Sequence, residues 1–208
     1  MNYFLAFILA VLAQVAAANP LIDALRADDE LRICSAGDAS PEAKVLIFDA
    51  KELMTAMNVP ADTFAVLVAD CGRFAVTAMT YNVIVLPPRL AHFAKNERLF
   101  VLAHEIGHLA NKDLTHWTEV GDELVRAPLA DDLAANRIYS VSRALELDAD
   151  RFAARTLSKL GVDAVSAATD VFTRLHVLDA QDDDSHPAPK LRVEFLAQAM
   201  APAHLARN

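Results

Sequence analysis

Residues 99–110 read Leu-Phe-Val-Leu-Ala-His-Glu-Ile-Gly-His-Leu-Ala. The pattern is helical, and within it His104-Glu105-Ile106-Gly107-His108 is an HExxH sequence. On a helix, residues four apart share a face. His104 and His108 therefore present two imidazoles side by side, the arrangement that binds one Zn²⁺ at roughly 2.0–2.1 Å from each nitrogen. Glu105 lies beside that face, placed to act on a water held at the metal. Two partly buried helix histidines with no metal would read the same way, so the chemistry needs a second motif.

A catalytic zinc takes a third protein ligand and keeps one position open. An HExxHxxGxxH pattern would supply a third histidine, but Asn111 stands at the glycine position and Leu114 at the histidine position. Asp113 is one acidic alternative. The stronger one lies in residues 142–150, Ser-Arg-Ala-Leu-Glu-Leu-Asp-Ala-Asp. Glu146 and Asp150 are four apart and share a helix face. That spacing suits a division in which Glu146 binds metal and Asp150 takes the free N–H of a ligand histidine, fixing its tautomer. An exposed acidic helix face is the plain alternative. Against it, the small Ala149 and Ala153 permit close helix packing.

The rest of the chain supports a mostly helical α+β domain. It has 208 residues, 54% hydrophobic, with a formal net charge of −9. That excludes collagen-like, disordered and disulfide-dense classes. The acidic balance argues against a nucleic-acid binder. With five glycines and many alanines, helix is favoured over a large β-sandwich. Ser40-Pro41-Glu42 is a helix start. Val45, Phe48, Leu53 and Met57 suggest its apolar face, and it ends near residues 58–60. Residues 63–69, 74–79 and 81–86 read as three short strands of a small sheet, the last stopped by Pro87-Pro88. Helices are expected near 97–111, 131–160, 163–179 and 189–200, with Gly161 as a C-terminal stop. Residues 182–187 form a loop.

Residues 1–18 hold no charge, and only Asn2 and Gln14 are polar. With Ala16-Ala17-Ala18 before Asn19-Pro20, they read as a signal peptide cleaved after Ala18. The uncharged MNYF start fits this poorly, and an uncleaved anchor is the rival. Residues 3–18 fall short of the ~20 that span a bilayer. No cysteine follows to mark a lipoprotein. Residues 19–208 are then one exported domain, periplasmic or secreted, with no later membrane span. In an exported chain, Cys34 and Cys71 suggest one disulfide; two buried thiols are the alternative.

HEIGH followed by ELDAD resembles the M48 metallopeptidases, the Ste24-like, HtpX-like and Oma1-like zinc proteases, whose hallmark is HExxH plus a later ExxAD. The resemblance implies that Glu146 is the third zinc ligand beside His104 and His108, and that Asp150 supports a ligand histidine from behind. It implies a zincin-like fold, with the small sheet beside the HExxH helix. Asn111 falls at a familiar family position. Residues 185–193, Ser-His-Pro-Ala-Pro-Lys-Leu-Arg-Val, resemble a later HPxxxxRI segment. Residues 81–87 resemble the strand that precedes the zinc helix. The likeness covers about residues 40–200, but only the two paired motifs are specific. Two departures stand out. Many members carry transmembrane helices around or between the motifs, whereas the 37 residues between His108 and Glu146 include Lys112, Asp113, Glu119, Asp122, Glu123, Arg126, Asp131 and Asp132. The usual glycine-rich turn after the strand is replaced by Pro87-Pro88.

The function expected is that of an exported endopeptidase with one Zn²⁺, acting on proteins or peptides such as unfolded envelope proteins. Glu105 is the base, acting on a water at the metal. His186 and Arg192, and less strongly Tyr139, could stabilise the oxyanion. His186 could instead occupy the open metal position and hold the enzyme inactive, or merely start a helix, and Arg192 could merely pair with surface acids. Substrate could add as a strand to an edge formed by residues 81–86. A rival from another class is a chaperone or adaptor that keeps the zinc fold without useful cleavage; the intact Glu105 argues against it. A purely structural zinc site is disfavoured because such sites are Cys-rich. His92, His116, His176 and His204 have no matching spacing and carry no assigned role.

Overall fold

The computed structural model describes residues 32–33, 40–60, 63–70, 77–79, 83–127, 129–177, 180–181 and 186–201. The apolar leader, the Cys34–Cys71 pairing, residues 74–76 and 81–82 of the expected strands, residues 178–179 of the expected helix, loop residues 182–185 and His204 lie outside these. The described chain is the mostly helical α+β type expected. It divides into two compact units, residues 1–94 and 95–208.

The first unit holds the sheet. Helix α1 spans Pro41–Met57. Ser40 caps it by accepting a hydrogen bond from the Ala43 N–H at 3.1 Å, and Asn58 closes it in a left-handed conformation. Its buried apolar row is Ala43, Leu46, Ala50, Leu53 and Met54. The face expected from Val45 and Phe48 is therefore displaced, since Phe48 is 66% exposed and Val45 lies outside too. The row at 43, 46, 50 and 53 follows the helical repeat more closely than 45, 48, 53 and 57 does.

Four described strands, β1 (Arg32–Ile33), β2 (Ala65–Asp70), β3 (Thr77–Met79) and β4 (Val83–Leu86), pair in the order β1-β2-β4-β3. Strands β2 and β4 are parallel, with Ala65 opposite Val83. Strand β3 runs antiparallel to β4, and β1 antiparallel to β2. The three expected strands are present, and β1 adds a short fourth. All four residues of β4 are buried, the continuous apolar run of a strand covered on both faces. Because β2 and β3 flank β4, residues 83–86 are not an edge. The expected strand addition to that segment is corrected: its backbone hydrogen bonds are already used. Pro87-Pro88 ends β4 and opens a 3₁₀ turn, Pro88–His92.

The second unit is all helix among its described residues. It contains α2 (Lys95–Ala110), α3 (Asp113–Arg126), α4 (Asp131–Lys159), α5 (Ala164–Arg174) and α6 (Pro189–Met200). Helix α3 was not expected. Helix α4 stops where Gly161 takes φ +69°. There the Gly161 and Val162 N–H groups reach back to Ser158 and Leu157 carbonyls, which closes the last turn. Asp163 caps α5 through the Val165 and Ser166 N–H groups. That helix ends at Arg174, earlier than expected, where the Arg174 guanidinium grips buried Glu97 of α2 with two nitrogens. No described helix is long and apolar enough to cross a membrane.

Candidate metal centre

Helix α2 is buried at Glu97 and continuously from Leu99 to Gly107, so its polar residues must be satisfied from within the unit. Its principal neighbour is α4. The two approach closely at Gly107, where a Cβ would lie 3.0 Å from the Ala149 Cα and 3.2 Å from the Phe152 Cβ. Ala149 and Ala153 are fully buried, as their small size suggested. This contact brings Glu146, one turn before Asp150, against the two histidines.

Three donor atoms converge. His104 Nε2 and His108 Nε2 are 3.0 Å apart. Glu146 Oε2 is 3.3 Å from the first and Oε1 is 3.3 Å from the second. Ligands of tetrahedral zinc at roughly 2.0–2.1 Å are separated by about 3.3 Å, so the donor set fits that ion. His104, His108 and Glu146 form the group among the described residues that could hold a metal. Behind His104, Nδ1 meets Asp150 Oδ1 at 2.9 Å. Behind His108, Nδ1 meets Asp113 Oδ2 at 2.6 Å. A histidine whose Nδ1–H donates to a carboxylate turns its Nε2 lone pair toward the metal.

A family model described as Peptidase family M48 matches residues 42–200. The chain belongs to peptidase family M48. Neither a curated protein nor a solved structure gives a significant match. Membership makes this a metallopeptidase fold, and the centre just described contains both halves of the M48 sequence hallmark.

The other expected residues of this M48 chain are placed as follows. Glu105 is buried on α2 between the two histidines. Arg192, from α6, is also buried. Its Nε and Nη2 each lie 2.7 Å from an Asp150 oxygen, its Nη1 lies 3.2 Å from Glu146 Oε2, and its guanidinium sits 5.1 Å from the Phe172 ring centroid. The acid it pairs with is therefore inside the centre. His186 precedes α6 with Nε2 3.7 Å from Glu146 Oε1, and its side chain is about half exposed. Tyr139 is half-buried on α4, two turns before Glu146. Asp113 lies on the Nδ1 side of His108, the ring nitrogen away from Glu146. Its position five residues after His108 was the only sequence signal for it.

The electrostatics follow from these contacts. Burial works against charge on both imidazoles. At His104, the bonds to Asp150 and Glu146 outweigh it and raise the pKa. At His108, the bonds to Asp113 and Glu146 push the pKa up to about 10. Burial likewise opposes ionisation of Glu146, but the two histidines and Arg192 hold its carboxyl well below the usual carboxylate range. Against the same burial, Arg192 holds Asp150 ionised, and Asp150 and Glu146 keep Arg192 charged. Both histidine shifts favour protonated imidazoles beside the buried acids. A divalent cation can take the place of those protons.

Proposed function

We propose that this chain is a zinc-dependent endopeptidase that hydrolyses peptide bonds in proteins. The observation that carries the reading is the convergence of His104 Nε2, His108 Nε2 and the Glu146 carboxylate within 3.0–3.3 Å of one another. Two imidazoles and one carboxylate are the donor set of a hydrolytic zinc site, which needs a fourth, open position. A zinc ion held by these three residues would supply a Lewis acid for the scissile carbonyl and would lower the pKa of a bound water toward neutrality.

The chain's own groups supply the rest. His104, His108 and Glu146 hold the ion. Asp150 keeps His104 in the Nδ1–H tautomer, and Arg192 fixes Asp150. Glu105 accepts the proton of the attacking water and returns it to the leaving amine. His186, on the exposed side of Glu146, is the group we assign to the developing oxyanion, since Arg192 is already engaged by two carboxylates. We also propose that the uncharged residues 1–18 export the domain, so that its substrates are proteins of the cell envelope or exterior.

The test is hydrolysis of an unfolded protein by the purified chain. Wild type should cleave and should lose activity to a chelator. Glu105→Gln should retain zinc and lose at least 100-fold in rate. If Glu105→Gln cleaves as fast as wild type with equal zinc content, the mechanism fails. If wild type binds zinc and cleaves nothing, the chaperone or adaptor reading takes its place. Glu146→Ala should lose zinc affinity; unchanged affinity would remove it from the ligand set. Export is tested by fractionation and by sequencing the mature N-terminus; a full-length protein retained in the cytoplasm overturns it.

A further inference from the structure

The two histidines of the centre are gripped from different parts of the chain. His104 leans on Asp150, 46 residues away, and that carboxylate is itself clamped by Arg192. His108 leans on Asp113, five residues away, through a contact of 2.6 Å. Asp113 opens α3 and is 6% exposed. Its second oxygen, Oδ1, is buried with no hydrogen-bond partner among the described residues. Its other oxygen is committed to His108.

The backbone takes an uncommon route to put it there. Helix α2 ends at Ala110, and Lys112 then adopts φ 60°, ψ 41°. This left-handed region is unfavourable for any residue with a Cβ. The Lys112 N–H bonds the Leu109 carbonyl, and the Lys112 carbonyl already receives the Thr115 and His116 N–H groups. One helix closes and the next opens around this single residue. As a result, Asp113 turns back onto the last turn of α2 and meets the Nδ1 of His108. A strained residue persists where its surroundings over-determine it, and such residues cluster at functional sites.

We propose that Asp113 is the positioning residue of His108, and that Lys112 is the hinge that delivers it. Accepting the Nδ1 proton, the Asp113 carboxylate holds the His108 ring so that Nε2 faces Glu146 and the metal. Asp113 touches neither substrate nor metal; it acts through the imidazole. The two metal-binding histidines thus have separate supports, Asp150 with Arg192 for one and Asp113 for the other. This inference rests on the zinc reading of the centre.

The experiment measures zinc affinity by competition with a chromophoric chelator, together with the ¹⁵N signals of both imidazoles, in the full chain. Asp113→Ala should weaken zinc binding about 10–100-fold. It should release the His108 ring from the Nδ1–H form and leave the His104 signals unchanged. Asp113→Asn, whose side-chain carbonyl still accepts a hydrogen bond, should keep the His108 tautomer and lie between wild type and Asp113→Ala in affinity. A merely structural Asp113 would lower the melting temperature of the metal-free protein without changing affinity or tautomer, and that result overturns the proposal. If Asp113→Ala does not fold, the wild-type zinc complex decides: a His108 ring bound through Nδ1, or carrying an Nδ1 proton that exchanges freely with solvent, also overturns it. If wild type binds no zinc, the zinc reading falls and this proposal with it. If wild type binds and Asp113→Ala binds equally with its ring unchanged, only the proposal falls.

Discussion

Asp150 has two partners and no exposure to water, so each partner matters more than it would at the surface. Removing one member of a buried ion pair leaves the other charged and unpaired, at a cost of about 3–5 kcal/mol. Arg192→Met should therefore lower unfolding stability by about that amount in denaturant titrations. Arg192→Lys should recover only part of it, because an ammonium cannot reproduce the two-pronged contact that Nε and Nη2 make with Asp150. That His104 shares a face with His108, and Glu146 with Asp150, was legible because spacing on a helix dictates it; that Glu146 comes to the two histidines was implied only by the likeness to M48. The partner of Arg192 was not legible, since no motif spacing says how α6 packs against α4 and which acid it reaches. Asp113 was visible as an acid near the motif, but which ring nitrogen it meets depends on the turn at Lys112. A lysine gives no hint of a left-handed conformation.

Among the elements, the packing of α2 against α4 decides whether Glu146 reaches the two histidines. Gly107 is the permissive point, because its missing side chain lets the α4 backbone at Ala149 pass. Gly107→Ala should destabilise the fold by about 1–3 kcal/mol through overpacking. Unlike an overpacked position elsewhere, it should also weaken zinc binding, because Glu146 and Ala149 ride on the same helix. Paired denaturation and zinc titrations would show both effects, and a stability loss with unchanged affinity would refute the link. The boundaries of α1, α4 and α6 were legible from Ser40-Pro41, Gly161 and the prolines before residue 190. Helix α3 is poorly marked in the sequence because charged and exposed residues outnumber its apolar ones. Trp117, Val120 and Leu124 do carry a helical repeat, but it is short and most of the helix is exposed. The sheet's strands were legible as β-rich runs. Their order was not, because pairing β2 with β4 places the last strand inside the sheet.

At the scale of the molecule, the centre lies wholly within residues 95–208, so metal should stabilise that unit directly. A ligand present at 100 times its dissociation constant adds about 2.7 kcal/mol to the form that binds it. Chelation should lower the melting temperature, and hydrogen exchange should quicken in α2 and α4. An unchanged melt on zinc removal would refute this. The sign with pH follows from the raised histidine pKa values. In the metal-free protein the Asp113 and Glu146 carboxylates favour a proton on His108 well above its usual range, so zinc uptake at neutral pH should expel protons. Affinity should fall as the solution is acidified, and a weakly buffered titration should show acid released on binding. No release at pH 7 would mean that the histidines are already neutral.

The uneven spacing of the supports has a consequence for how the chain folds. The contact between His108 and Asp113 spans five residues, a loop that closes within the time a helix takes to form. The contact between His104 and Asp150 spans 46 residues and must wait for α4, and Arg192 arrives later still in the sequence. Local contacts form first and distant ones set the pace. The metal site should therefore assemble from one side. One imidazole is aimed while the chain is still largely open, and the other is locked only when the last helix docks.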